Sequence, residues 1–495
     1  MSSIAFDIPD EIRALCDGLE GFLKTEVFAR HEKHHDLLSN GRNTYDENGR
    51  YVEEVIELIR EVRMASAKAG YFNMCVPEEL GGGLGMLAYY VAWEHAYRIS
   101  GPHNWLTMYA ISHWALGPSR LLQRVTEEAR AEILDGMIAG RTSMCFGLSE
   151  PGAGSDAAAL TTRATPDGNG WRINGRKIWT TNAPIAEYCI IFAQTDPERA
   201  AARKGGISAF LVPTDTPGFE VESIIRMHGS VGGNEAQLVF EDIRVEPYQL
   251  VGELHEGFKN AVFGVSMGRI YNSARALGLA RWSLELALEY STTRRTFGKA
   301  ISEYQGVTFP LAESAMELHA AHLMGLNAAL LLDRGEAAIK ELSMAKAYAV
   351  EAGVRAIDRA IQTHGAMGFS PPRRKDLYDF WGDRITDALG DLLSGHDEKT
   401  ILNLASNEYF KSVRPAKLKG RIITPAFKEE RDGETRMIGF FAKQARGMMA
   451  RYLVQNRIST PDELKNFDLG GYQYREALSQ DDAWVFTRPQ PAGPN

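Results

Sequence analysis

The stretch GWRINGRKIWTTNA, residues 170–183, decides the middle of the chain. Two runs rich in β-branched and aromatic residues flank Asn174–Gly175. Asn-Gly between such runs predicts a hairpin closed by a type I′ turn. Three runs of the same texture follow: AEYCIIFAQTD (186–196), GISAFLVPTD (206–215) and AQLVFEDIRV (236–245). Turn residues separate them, so residues 139–252 read as one compact all-β domain.

On either side the hydrophobic period changes to that of a helix. YVEEVIELIREVRMASAKAGYF (51–72), LAYYVAWEHAYRIS (87–100) and ALGPSRLLQRVTEEARAEILDGMIAG (115–140) place apolar residues at helical spacing. Residues 1–138 therefore read as a helical domain. FKNAVFGVSMGRIYNSARALGLARWSLELALEYSTTRR (258–295) and AKAYAVEAGVRAIDRAIQTHGAMGF (345–369) carry long helices of a second helical domain, 253–410. The order helical, β, helical contains no βαβ alternation and argues against a dinucleotide-binding parallel sheet.

Bulk properties narrow the classes further. A chain of 495 residues is long enough for several domains, and 44% hydrophobic with 24% charged residues is the composition of a globular protein. A net charge of -9 argues against general nucleic-acid binding. No apolar run approaches the length of a membrane span, and the acidic N-terminus lacks the basic flank of a targeting peptide, so a cytoplasmic location is expected. Cys16, Cys75, Cys145 and Cys189 are scattered without a CxxC, which points to reduced thiols.

Two motifs carry little. HEKHH (31–35) matches HExxH and, on one helix, would put His31 and His35 on a shared face, but no third ligand follows, and a solvated polar helix is the simpler reading. No metal is expected. GGGLG (81–85) is a loop between helices.

FGLSEPGAGSD (146–156) is different. Its glycines and serines can aim backbone N–H groups at an anion or a polar ring edge. Together with KIWTTNA (177–183), RRTFGKAI (294–301) and QTHGAMGF (362–369) it suggests a site for a large planar, phosphorylated cofactor assembled from separate segments.

With these motifs on the page, the chain resembles the acyl-CoA dehydrogenases, flavoenzymes that introduce the 2,3-double bond into acyl-CoA thioesters. GLSEPGAGSD, INGRKIWTTNA, FEDIRVEPYQLVGE (240–253), GFKNAVFGVSMGRI (257–270), RRTFGK and QTHGAMGF fall in the family's order, over residues 10–410. The resemblance implies an α+β fold: an N-terminal helical domain, a central β-barrel or sandwich domain and a C-terminal four-helix bundle, here with an extension, 411–495. It implies FAD as cofactor. Phe146, Leu148 and Ser149 would lie against the flavin ring, Trp179 and Thr181 beside its reactive edge, and Gly154 and Ser155 near flavin or the substrate's pantetheine arm. Arg294, Thr296 and Phe297 would reach the FAD of a neighbouring subunit. Gln362, Gly365 and Ala366 would contact its adenine and pyrophosphate side, with His396 and Glu398 also at the cofactor. Arg269 falls near the substrate. A shared site implies a homodimer or homotetramer, and an electron-transfer flavoprotein is the expected electron acceptor.

The base for the α-proton is where the pattern breaks. Counting back from ILNLA in LSGHDEKTILNLA (393–405), the family's carboxylate falls on Ser394; counting forward from WGDRITDALGDLL (381–393), it falls at Gly390, next to Asp391. The alternative position on the long helix is Gly268. Three readings follow: a rearranged loop presenting Asp391 (or Asp387 or Asp397), different chemistry on a CoA thioester such as reduction, oxygen chemistry or elimination, or a non-catalytic subunit of a hetero-oligomer. Ser394 alone is a poor base.

Residues 411–457 hold twelve Lys or Arg against four Asp or Glu. Within them RMIGFFAKQARGMMARYLVQNR (436–457) spaces apolar residues at helical intervals, which suits a helix packed on the body, on another subunit, or on a membrane surface. RPQPAGPN (488–495) reads as disordered.

Overall fold

The computed structural model describes residues 8–74, 76–369, 383–395, 399–405, 410, 412–431, 434–437 and 439–489. The chain forms two compact units, Met1–Ser370 and Pro371–Asn495, so the division falls inside the stretch assigned from sequence to the third domain.

In the first unit the helices α1 (Asp10–Phe22), α2 (Glu53–Ala69), α3 (Gly85–Ser100) and α4 (Glu127–Ile138) precede the sheet. Helix α2 shows why: Glu53 and Glu54 sit in the first turn, and Val55, Leu58, Ile59, Val62 and Ser66 make one buried stripe. It stops at Gly70, whose left-handed φ of 84° lets its N–H close on the last carbonyls. The HExxH reading fails here. The helix breaks at His34, which separates His31 from His35, and His31 is buried with Nε2 accepting the Leu106 N–H at 3.1 Å. Among the described residues no cluster of ligands suits a metal.

A seven-stranded sheet follows: β1 (Met144–Gly147), β2 (Arg163–Asp167), β3 (Gly170–Thr181), β4 (Tyr188–Gln194), β5 (Ile207–Pro213), β6 (Phe219–Ile224) and β7 (Glu235–Val245). Strands β2, β3, β7 and β6 pair antiparallel in that order, while β4 lies between β1, parallel, and β5, antiparallel. The apolar run of β4 serves two cores. Ile190 and Phe192 face the helices, and Cys189, Ile191 and Ala193 face the sheet interior.

The predicted turn at Asn174–Gly175 does not form. The β2–β3 hairpin turns at Asp167–Gly170 instead, with Gly168 at φ 62°. Strand β3 runs on because β7 pairs along its length, and the Asn174 side chain accepts the backbone N–H of Asp242 at 2.8 Å where β7 bulges.

Helices α5 (Gly257–Thr293), α6 (Gln305–Asp333) and α7 (Ile339–His364) supply three of the expected four bundle helices. Helix α6 is long and apolar enough to cross a membrane by length and composition, a property the sequence reading missed. Its Leu311, Leu318, Ala321 and Leu326 are buried in the shared helical core. Cys145 and Cys189 are register neighbours on β1 and β4; both are buried and free, as is Cys16. Burial pushes the Cys145 thiol well above the usual range. Cys75 lies outside the described residues.

The second unit has its own core. Helix α8 (Arg384–Ser394) precedes a sheet built from β12 (Ala426–Arg431), β13 (Glu434–Arg436), β14 (Gln473–Tyr474) and β15 (Val485–Pro489), in the order β13-β12-β15-β14. A shorter pair, β10 (Thr400–Leu402) with β11 (Arg421–Ile423), stands apart. Helix α9 (Gly439–Gln455) buries Ala442, Ala445 and Met449 against Phe427, Phe467, Trp484 and Phe486. The helix expected in the extension therefore forms, and its apolar stripe is covered by its own sheet.

Candidate active site

The loop after β1 is clasped by β3. The Ile178 N–H donates to the Ser149 carbonyl at 2.9 Å, and Lys177 Nζ donates to the Leu148 carbonyl at 3.2 Å and to Glu150 at 2.8 Å. Lys177 and Glu150 form an ion pair whose side chains are 0% and 4% exposed. Glu150 also accepts the N–H and hydroxyl of both Thr161 and Thr162, at 2.5–2.9 Å. Burial pushes its carboxyl up, but Lys177 and these donors outweigh that and hold it at about 2. Burial likewise lowers the Lys177 ammonium, to about 8, against the pull of Glu150. Glu150 exchanges both backbone hydrogen bonds with Ala153, so Pro151–Gly152 is a tight turn. Beyond it Gly154 and Ser155 are exposed, and a Cβ on Gly154 would meet nothing.

Beside this loop β3 bulges. Lys177 pairs with Leu238 and Thr180 with Ala236, which leaves Ile178 and Trp179 opposite one residue. Trp179 takes a left-handed φ of 60° and is 55% exposed. Such backbone costs about 1–3 kcal/mol and clusters at ligand sites. Thr180 Oγ1 and Asn182 Oδ1, next to the bulge, are buried without a hydrogen-bond partner among the described residues. A flat, exposed aromatic, an open glycine loop and polar atoms awaiting partners fit a large planar cofactor.

Phe146, at the end of β1, touches the wall of a cleft through Trp114. Its ring meets Trp114 at 5.0 Å edge-on and Phe192 at 4.8 Å. Trp114, Leu121, Phe263, Gly264 and Met267 line the cleft, against helix α5. Arg269 stands one residue beyond Gly268 on α5 and is half-buried.

A second set gathers at one end of the bundle. Tyr290, one turn before Arg294, stacks on His364 at 4.7 Å, which joins the ends of α5 and α7. The strands β8 (Arg295–Thr296) and β9 (Lys299–Ala300) form a hairpin whose tip, Phe297–Gly298, has positive φ at both residues. Phe297 is 97% exposed. Gln362, Gly365 and Ala366 are exposed beside His364. Among the described residues no hydrogen bond or ring contact joins this set to the Phe146–Trp179 set.

Asp391 and Ser394 lie on the exposed face of α8, in the second unit, where the Ser394 hydroxyl donates to the Asp391 carbonyl at 2.7 Å. His396, Asp397 and Glu398 lie outside the described residues. Sequence reading missed Trp114, Lys177 and Glu150. Lysine in the interior of a β-rich run was a signal for the second, since only a partnered lysine is tolerated in a sheet core.

A bulged strand with an exposed tryptophan beside an open glycine-rich loop suits a protein that holds a large planar cofactor. Family models described as the N-terminal, middle and C-terminal domains of acyl-CoA dehydrogenase match residues 9–141, 145–243 and 255–391. The Bacillus subtilis protein named "Probable acyl-CoA dehydrogenase YngJ" is 34% identical over 365 residues, 74% of this chain and 90% of the relative. The chain belongs to the acyl-CoA dehydrogenase family, FAD-dependent oxidoreductases acting on the CH–CH bond of acyl-CoA thioesters. Subunit CarC of the caffeyl-CoA reductase–Etf complex of Acetobacterium woodii is 35% identical over 319 residues, 64% of this chain and 83% of the relative. The butyryl-CoA dehydrogenase structure from Megasphaera elsdenii superposes with a TM-score of 0.62 at 29% identity, covering 74% of this chain and 91% of that one. A further model, described as peroxide stress protein YaaA, matches residues 358–478, most of the second unit.

The residues that the family resemblance assigns to FAD fall in two sets, Phe146, Leu148, Ser149, Trp179 and Thr181 in one and Arg294, Thr296, Phe297, Gln362, Gly365 and Ala366 in the other. Replacing Trp179 with alanine is expected to weaken FAD binding about tenfold, while the melting of the apoprotein moves by no more than about 0.5 kcal/mol because the ring is half exposed. Flavin fluorescence titration beside a thermal scan checks both.

Proposed function

We propose that this protein interconverts a short acyl-CoA thioester and its 2,3-enoyl form. The observation that carries the reading is the cleft lined by Trp114, Phe263 and Met267, whose Trp114 ring meets Phe146 beside the loop that Lys177 and Glu150 clasp. FAD, when bound, supplies the two-electron chemistry. The chain's own residues position and shield. The clasp fixes the Leu148 and Ser149 backbone, and Trp114, Phe146 and Met267 keep water from the reacting carbons. A thioester α-proton is weakly acidic and needs a base. The two sequence registers put the family's carboxylate at Ser394 or at Gly390, next to Asp391, and of these Asp391 is the residue able to act as a base. Substitution of Asp391 by asparagine is expected to lower kcat at least about 100-fold with FAD still bound; undiminished turnover would remove Asp391 from the reaction.

Two features support assembly into a homodimer or homotetramer: the fully exposed Phe297 at a stiff hairpin tip, and the separation of the two cofactor-binding sets. An electron-transfer flavoprotein is the proposed redox partner, as the name of the CarC complex suggests. Anaerobic titration with butyryl-CoA tests the reading: flavin bleaching supports it. A reduced protein reoxidised by an enoyl-CoA, without bleaching by any saturated thioester, would make the protein a reductase. A flavin indifferent to both would end the proposal.

A further inference from the structure

We infer that Trp114 is the residue that sets acyl-chain length, by filling the space that a side chain at position 268 would need. The inference rests on the acyl-CoA reading above and names the substrate class of that site as thioesters of short acyl chains, about four carbons long.

The geometry is one of mutual exclusion. A Cβ placed on Gly268 would lie 2.8 Å from both Cε2 and Nε1 of the Trp114 indole, closer than a carbon tolerates. One turn earlier, a Cβ on Gly264 would meet the same indole and the Phe146 ring at 3.3 Å, and Leu121 at 3.2 Å. Helix α5 therefore offers a glycine-lined face, and the indole lies in it. Phe146 meets that indole edge-on, so the wall of the cleft continues into the flavin set. The space that remains, among Leu121, Phe263 and Met267, holds about one water-sized sphere. No acyl chain fits that space with the indole in place, so the indole must give way for any chain, and farther for a longer one. The same packing bars a carboxylate from position 268, so the long-helix alternative for the base is closed by Trp114 and not merely empty.

The test compares kcat/KM for butyryl-CoA and octanoyl-CoA in the FAD-loaded full-length protein. Replacing Trp114 with alanine is expected to raise the octanoyl-to-butyryl ratio about 100-fold, because several methylenes gain a place to bind. Trp114→Leu, which keeps more of the packing, should move the ratio the same way by a smaller factor and covers a misfolded alanine variant. Gly268→Ala in the wild-type background should drive the indole from α5 into the acyl space and lower butyryl-CoA turnover about tenfold, and Trp114→Leu in the same chain should restore it. An unchanged ratio in folded, FAD-bound Trp114 variants that still oxidise butyryl-CoA would overturn the assignment while leaving the acyl-CoA reading standing. A wild type that no acyl-CoA reduces would overturn both.

Discussion

Replacing Lys177 with methionine is expected to destabilise the first unit by about 3–5 kcal/mol and to abolish FAD retention on gel filtration. The cost does not come from losing a favourable contact alone. Glu150 would remain buried with a charge that only Thr161 and Thr162 then answer, and the Leu148 carbonyl would lose its donor. If Leu148 and Ser149 hold the flavin as the family resemblance implies, stability and cofactor affinity should fall together. A variant melting within about 1 kcal/mol of wild type, still yellow, would show that the pair is not what holds the loop.

The same pair sets an acid limit. Glu150 ordinarily titrates near 4.5 and is held at about 2 in the fold. A carboxyl depressed in the native state contributes stability that is complete above its unfolded value and drains away as pH falls through its folded one. The contribution, about 3 kcal/mol, is therefore expected above pH 4.5 and lost between 4.5 and 2. Acid unfolding followed by flavin release checks the window, and Glu150→Gln should flatten it.

The second large effect lies in the second unit. Arg488 donates Nε and Nη2 to Glu429 Oε1 at 2.9 and 2.6 Å, with its guanidinium over the Phe441 and Tyr472 rings at 4.9 and 4.7 Å. Glu429 is 3% exposed, and its other oxygen has no partner among the described residues. Arg488→Met should destabilise this unit by about 3–5 kcal/mol, since it strands the buried carboxylate. Changing both, Arg488→Met with Glu429→Leu, should recover most of the loss, because an apolar pair of similar volume removes the desolvation burden. Limited proteolysis reads the unit directly. Equal protease resistance in wild type and the single variant would reject the argument.

How far the sequence reached depends on what each signal measures. Helical periodicity reports burial on one face, so α2 and α5 were legible from spacing. The extension's helix was legible too, but what covers its apolar face was not: Phe427, Phe467 and Phe486 come from segments far apart in sequence. Asn174–Gly175 misled because turn propensity is local, whereas β7 pairs through that point and takes up the strain in its own bulge at Asp242. HExxH was set aside from sequence, and the structure shows why it cannot work: the motif needs one unbroken helix, and His34 breaks it. The family was readable as an ordered string of motifs. The left-handed Trp179, and the indole of Trp114 lying against Gly268, are facts of three dimensions that no pattern encodes.

The paired thiols on β1 and β4 make the protein its own stopwatch. Cys145 and Cys189 sit at zero exposure on β1, which ends at the glycine-rich loop, and on its neighbour β4. In the closed sheet neither can meet a thiol reagent, so their rate of labelling, in a chain with Cys75 and Cys16 replaced, counts how often those strands part. If FAD slows that count in proportion to its occupancy, cofactor loss and strand opening are one event, and the shelf life of the holoenzyme can be read from a colour change.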